Sequence, residues 1–276
     1  LGMLGKGFGN ERSTYFSLDE QKTMMTLWCI FRSPLMLGAE LTKLDAKTME
    51  VEEITSICGG LNINIGTLNQ NTIPSMFLAG KKANELNHKV LLDPVGAGAS
   101  SLRTKTAMDL IEKVKFDVIR GNISEIKAIA GSSSNTKGVD ASSLDAVTEE
   151  NLDEAVSFMK DLARRFGCVV AATGEFDLVS DSERCFVIKN GKPQMEKITG
   201  TGCQLSAIIT AFICANADCV LEATAAAICL MGLAGEIAFE KLLPGEGNST
   251  YRNKIIDAIY NMTAEDLQKG AKYEIR

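Results

Sequence analysis

The residues best suited to chemistry in this chain are Thr199-Gly200-Thr201-Gly202-Cys203, set directly before an apolar run with helical character. Two glycines let the backbone turn tightly and bring several N–H groups toward one point. The helix that follows adds the partial positive charge of its N-terminus, so the loop suits an anion, above all a phosphate. Cys203 would stand at the mouth of that anion site. Taken alone, the same five residues also describe an ordinary helix start.

Three more clusters lie where apolar runs give way to loops. Asp93-Pro94-Val95-Gly96-Ala97-Gly98-Ala99-Ser100 places a carboxylate before a glycine-rich turn. Asp93 could help hold hydrated magnesium while the glycines admit close backbone approach, or it could simply cap the turn. In Arg120-Gly121-Asn122-Ile123-Ser124-Glu125, Arg120 would face phosphates and Glu125 would order Mg2+ and its waters. Asn122 and Glu125 also have the spacing of a capping box, and the two roles are compatible. Thr173-Gly174 ends a third run and could touch a nucleotide phosphate, or only end the strand. No G-x-x-x-x-G-K-[ST] occurs, nor a G-x-G-x-x-G opening a helix after the first strand, which disfavours a P-loop kinase and a Rossmann dehydrogenase.

The elements that must carry these groups alternate from about Val51 onward. Leu61-Asn62-Ile63-Asn64-Ile65 alternates with period two, Lys89 to Asp93 is a short apolar run, and Phe116 to Arg120 and Cys168 to Thr173 read as further strands. Between them, Ala107, Leu110, Ile111 and Val114 keep helical spacing, as do Leu152, Ala155, Val156, Met159, Leu162, Ala163 and Phe166. This succession predicts an α/β fold, a central mainly parallel sheet flanked by helices, with ligands gathered at the carboxyl ends of strands. Phe176–Val179 and Arg184–Ile188 instead read as short antiparallel strands around Ser180-Asp181-Ser182, with Asn190-Gly191 as a second turn. Leu221 to Phe239 is apolar on almost every side and predicts a buried helix.

Bulk properties narrow the function classes. A net charge of −6 argues against nucleic acid or an anionic membrane surface as the main partner, while leaving room for a nucleotide bound with magnesium. The eight cysteines show no C-x-x-C spacing and mostly sit among apolar residues, as expected in a reducing cytoplasm. His88 is the only histidine, so multi-His zinc sites are excluded; it reads as a surface residue before a strand. No signal peptide opens the chain, the apolar runs break before membrane-spanning length, and a start at Leu1-Gly2 suggests a fragment.

Asn64-Ile65-Gly66-Thr67-Leu68-Asn69, the Asp93–Gly98 block, Arg120-Gly121-Asn122 with Glu125, and Thr199–Cys203 together resemble the hydroxyethylthiazole kinase family of the ribokinase-like superfamily, over Val51 to Arg276. The resemblance implies ATP-dependent phosphorylation of the primary hydroxyl of 4-methyl-5-(2-hydroxyethyl)thiazole, a salvage step toward thiamine. Carried over by motif, Arg120 and Thr173 would contact ATP, Gly66 and Gly200 the thiazole alcohol, and Asp93 and Glu125 would organise Mg2+, largely through water. The N–H groups of Gly200, Thr201, Gly202 and Cys203 would form an anion hole. Cys203 stands where most ribokinase-like enzymes carry an aspartate base, and would accept or relay the alcohol proton. The family also implies a homotrimer with active sites between subunits, and a cytoplasmic location.

Residues 1–50 depart from this pattern. Arg12-Ser13-Thr14-Tyr15-Phe16 and Asp19 to Met36, including a helix over Thr23–Arg32 with the only tryptophan, Trp28, resemble part of the barrel of retaining α-galactosidases. That reaction needs two placed carboxylates, so no glycosidase activity is assigned. The expected organisation is a foreign segment over 1–50, not an independent domain, joined to a kinase-like domain over 51–276 that lacks the family's N-terminal strand and helix. The Ile-Thr-Asn segment of the family is absent, and Met36 is not given its thiazole-contacting methionine role. Two other expectations follow: a non-catalytic nucleotide-binding remnant of a gene fusion, or another ribokinase-like alcohol or sugar kinase.

Overall fold

The computed structural model describes residues 50–70, 72–131 and 147–276. The Thr23–Arg32 helix, Trp28, Met36 and the α-galactosidase-like segment lie outside the described residues. Among the described residues the chain runs α1 (Glu50–Ile57), β1 (Gly60–Asn64), a 3-10 turn (Ile65–Thr67), α2 (Thr72–Glu85), β2 (Lys89–Asp93), α3 (Ser101–Lys113), β3 (Val118–Asn122), α4 (Ile123–Gly131), α5 (Leu152–Phe166) and β4 (Val169–Thr173). It continues through β5 (Asp177–Ser180), β6 (Cys185–Ile188), a second 3-10 turn (Pro193–Lys197), α6 (Thr201–Ala215), α7 (Val220–Glu240), α8 (Asn248–Asn261), α9 (Ala264–Gly270) and β7 (Tyr273–Ile275).

The seven strands form one sheet in chain order. The β1 to β4 half is parallel, as expected for strands joined by helical crossovers, and β4 to β7 pair antiparallel. The hairpin of β5 and β6 matches the pattern read over 176–188. β7 is only three residues long and mostly exposed, too short to be read from its own pattern, and joins the sheet by pairing with β6.

Strand side chains alternate between faces, and the sequence fills both faces with apolar groups. Val90, Leu92, Ile119, Val170, Ala172 and Leu178 pack on one side, against the layer that holds α3, α4 and α5. Leu91, Val118, Ala171, Val179 and Ile188 pack on the other, against α6, α7 and α8. α5 shows how a helix is specified here. Its apolar positions at three- and four-residue spacing bury Leu152, Ala155, Val156, Met159, Leu162 and Ala163. Asp153 and Glu154 sit in its first turn, Arg164 and Arg165 in its last, and Gly167 closes it at φ 65°.

α7 is buried over most of its surface, as its all-round apolar sequence predicts. It is the one described helix long and apolar enough to cross a membrane, and 72% of its apolar window is covered by the protein. His88 departs from its expected surface position. It is half-buried between Ala83 and β2, its N–H bonded to the Ala83 carbonyl at 2.9 Å. The described cysteines are free thiols.

Candidate functional site

The alternation that builds the core also builds the site. Asn64 ends β1 opposite Asp93 at the end of β2, and Asn122 ends β3 opposite Thr173 at the end of β4. Counting in steps of two from Leu91, Val118 and Ala171 places Asp93, Arg120 and Thr173 on the face covered by α6. The polar residues at these tips therefore converge on one helix N-terminus.

That N-terminus begins at Gly200, whose φ of 97° is left-handed and costs glycine little. Gln204 N–H bonds the Gly200 carbonyl at 2.9 Å, so the amides of Thr201, Gly202 and Cys203 precede the first helical hydrogen bond. Helix geometry leaves such groups open to an anion. Gly202 is required by crowding instead: a Cβ there would stand 2.9 Å from Arg120 Nη1. The guanidinium thus packs against the first turn of α6.

Arg120 is 7% exposed and fixed from two sides. Its Nη2 donates to Thr173 Oγ1 at 2.6 Å, and its Nη1 lies 3.9 Å from Asp93 Oδ2. Its Nε has no hydrogen-bond partner among the described residues, and neither does Asp93 Oδ1. Two buried groups of opposite charge thus stand side by side with unmet hydrogen-bonding capacity.

Asp93 is 1% exposed. Its Oδ2 accepts from Asn64 Nδ2 at 2.7 Å and from Ser206 Oγ at 2.8 Å. Burial pushes its carboxyl above the ordinary value, against the opposing pull of Arg120, Ser206 and Asn64. Asn64 Nδ2 also lies 3.2 Å from Cys203 Sγ, and Asn64 Oδ1 accepts the Gly66 N–H at 2.9 Å. One amide side chain thereby touches the elements bearing Asp93, Cys203 and Gly66.

Glu125 is held by backbone. Its Oε1 accepts from Gly96 N–H and its Oε2 from Asn122 N–H, both at 2.8 Å, while Asn122 Oδ1 accepts the Glu125 N–H at 2.8 Å. The reciprocal Asn122–Glu125 pair is the capping box read from the sequence. Each carboxylate oxygen keeps a second lone-pair direction, so the cap leaves room for water-mediated binding of a cation. Among the described residues no group of three or more His, Cys, Asp or Glu is arranged to cage a metal. This donor set suits Mg2+ that keeps its waters and binds chiefly to a nucleotide's phosphates.

All the residues singled out by sequence therefore gather at one end of the parallel half: Gly66, Asp93, Arg120, Glu125, Thr173 and the Gly200–Cys203 turn. Sequence reasoning gave no role to three groups that hold them. Arg103, on the first turn of α3, donates from Nη1 to the Ile65 and Val95 carbonyls at 3.1 and 2.8 Å, and from Nη2 to the Gly66 carbonyl at 3.0 Å. It ties the turn after β1 to the loop after β2. Ser206 follows Cys203 by three residues, a helical neighbour spacing that could have flagged it, and Asn64 was visible as a polar residue ending a strand. Asp177, 3.0 Å from the Gly174 N–H, lies beside the same tips; burial pushes its carboxyl up to about 7, with Gly174 and Arg120 opposing.

Comparison with known proteins gives one consistent result. The model of the Hydroxyethylthiazole kinase family matches residues 22–265. A hydroxyethylthiazole kinase of Clostridium acetobutylicum is 55% identical over 225 residues, covering 82% of this chain and 82% of that protein. The solved hydroxyethylthiazole kinase of Pyrococcus horikoshii superposes with a TM-score of 0.71 at 33% identity, covering 83% of this chain and 82% of that one. A ribokinase-like superfamily protein of Enterococcus faecalis, at 12% identity and a TM-score of 0.53, shares the fold.

Proposed function

The chain belongs to the hydroxyethylthiazole kinase family, and we propose that its strand-tip cleft phosphorylates a thiazole alcohol at the expense of ATP. The acceptor is the primary hydroxyl of 4-methyl-5-(2-hydroxyethyl)thiazole, and the step supplies thiamine synthesis. The observation that carries this reading is Arg120, buried between Thr173, Asp93 and the first turn of α6, beside backbone amides that the helix itself does not use. Fixed positive groups aimed at one point are what a transferring phosphoryl group needs, since its transition state spreads charge over three oxygens.

In this reading Arg120 and Thr173 contact ATP, and Gly66 and Gly200 border the thiazole alcohol. The alcohol oxygen attacks the γ-phosphorus, the bond to the β,γ-bridging oxygen breaks, and ADP leaves with that electron pair. Cys203 accepts or relays the hydroxyl proton, and the amides of Gly200, Thr201, Gly202 and Cys203 stabilise the moving charge. A loose transition state asks little of a base, so the larger contribution is electrostatic. Asp93 and Glu125 would hold Mg2+ largely through water; bound there with nucleotide, the ion would neutralise phosphate charge.

Two further readings belong to the same proposal. The protein works in the cytoplasm. It assembles as a homotrimer with active sites between subunits. The kinase-like domain expected over 51–276 reaches further back, since the family match begins at residue 22, and nothing in the comparisons supports an α-galactosidase origin for residues 1–50.

The test is turnover. Purified protein with Mg·ATP should convert the thiazole alcohol to its phosphate and leave sugars untouched. Nucleotide binding without turnover would favour a catalytically silent remnant, and a phosphorylated sugar would overturn the substrate assignment.

A further inference from the structure

We infer that Asn64 is a positioning residue for the acceptor side of the transfer: its amide fixes the sulfur of Cys203 relative to the Gly66 turn and the β2 tip. The inference rests on the cleft being the phosphoryl-transfer site. Asn64 is the last residue of β1, and its Oδ1 caps the following 3-10 turn through the Gly66 N–H at 2.9 Å. An amide group is planar, so engaging the oxygen also aims both hydrogens on Nδ2. They are directed at Asp93 Oδ2, 2.7 Å away, and at Cys203 Sγ, 3.2 Å away.

The orientation of the amide is determined by its surroundings. Flipped, its oxygen would face the Asp93 carboxylate and its nitrogen would face the Gly66 N–H, two repulsive contacts in place of two bonds. Asp93 Oδ2 is meanwhile held by Ser206, on the same helix as Cys203. A closed set of contacts thus links β1, β2 and α6: Asn64 to Asp93, Asp93 to Ser206, and Asn64 to Cys203.

A cysteine side chain has three staggered χ1 wells, and a donor on its sulfur selects one of them. Asn64 therefore keeps the sulfur beside the turn that borders the acceptor hydroxyl. The recorded contacts of Arg120 with Thr173 and Asp93 do not run through it. Its loss should disturb the acceptor geometry first, because Asp93, which also serves the nucleotide through Mg2+, keeps Ser206 and Arg120 as partners.

Asn64→Asp is the diagnostic change. Asp caps a turn as well as Asn does, so the Gly66 bond survives. The donor toward Asp93 and Cys203 is replaced by negative charge. Asn64→Ala removes both functions. Kinetics would be measured for both variants, and peptide-resolved iodoacetamide alkylation would follow Cys203 against exposed Cys219, with buried Cys185 reporting any unfolding.

Both variants should lose about 10- to 100-fold in kcat, and Asn64→Ala, which puts no charge beside Asp93, should keep the KM for ATP within about 2-fold, the pattern of a misplaced reacting group. Asn64→Asp should also slow Cys203 alkylation by about 3-fold or more, because the thiolate is the reactive form and a carboxylate would face it. Parent-like kcat and alkylation in Asn64→Asp would reduce Asn64 to a turn cap and overturn the inference. So would a KM for ATP in Asn64→Ala that rises as far as its kcat falls. If Asn64→Asp exposes Cys185, Asn64→Ala decides on the kinetic pattern. If the parent turns over no thiazole alcohol, the functional proposal fails, and the alkylation ratio still decides whether Asn64 sets the environment of the sulfur.

Discussion

Replacing Gly202 by alanine separates the catalytic demand on the first turn of α6 from its structural demand. The added Cβ would lie 2.9, 3.3 and 3.5 Å from Nη1, Nη2 and Cζ of Arg120, where ordinary contacts begin at 3.4 Å. The guanidinium cannot swing away freely, because it is bonded to Thr173 and buried beside Asp93. It must shift by about 0.5–1 Å, and a displacement of that size at a reacting centre costs up to about 100-fold in rate, or about 2.7 kcal/mol. Stability should respond far less. Overpacking costs about 1–3 kcal/mol, and alanine in place of a helical glycine returns up to about 1 kcal/mol.

The expected result is a kcat reduced about 10- to 100-fold with a urea-unfolding loss of no more than about 2 kcal/mol. Gly200→Ala supplies the contrast. Nothing lies within 4 Å of its added Cβ, and only the φ of 97° opposes it. It should lose about 1–2 kcal/mol of stability with Arg120 unmoved. Turnover assayed by ADP release, with unfolding measured on the same preparations, tests both. A Gly202→Ala enzyme with the parent rate would refute the placement of Arg120 against the transferring phosphoryl.

The other predictions are brief. Cys203→Ala should lower kcat severely while Cys203→Asp retains activity, since a carboxylate at this helix start can take the alcohol proton in place of the thiol; equal kcat for Cys203→Ala and parent would remove the thiol from the mechanism. Asp177 holds its proton to about pH 7 in the folded state against 3.8 otherwise, so folding binds the proton and its contribution to stability falls as pH rises between those values. Parent and Asp177→Asn unfolded in urea across that range should differ in slope, the variant being flatter. Glu236 accepts from Gly191 N–H at 2.9 Å, Asn190 Nδ2 at 3.3 Å and Lys272 Nζ at 2.6 Å. Burial opposes its ionisation, but these donors outweigh it and hold the carboxyl below the ordinary 4.5. Glu236→Gln should cost about 2 kcal/mol at pH 7, a loss that shrinks as pH falls below about 4.5 because the parent's advantage disappears on protonation. A loss that does not change with pH would show that the charge is not the source.

Much of this architecture is legible in the chain because local pattern and buried face agree. Lys89–Asp93 and Leu152–Phe166 read correctly, since a short apolar run suits a strand buried on both faces and period 3.6 matches the stripe a helix must hide. The long apolar stretch of α7 needed no periodicity, only a core large enough to take it. β7 could not be read this way: Tyr273-Glu274-Ile275 is a strand because β6 offers it an edge. In the site, glycines and charged residues at strand tips were visible because their types are unusual beside apolar runs. Their supports were not. Asn64 and Cys203 are 139 positions apart, and the Asp93–Ser206 bond spans 113. Arg103 acts on backbone carbonyls, which leave no trace in side-chain identity.

The short pairing of β7 with β6 has a practical consequence. All four residues of β6 are buried, and Cys185 exchanges backbone hydrogen bonds with Arg276 at 2.9 Å in each direction. Trimming Tyr273 to Arg276 would leave that apolar strand with a bare row of amides and carbonyls, a template on which another molecule could lay its own strand. A few residues that contribute little to the core thus act as a selvedge, keeping the sheet from knitting onto its neighbours.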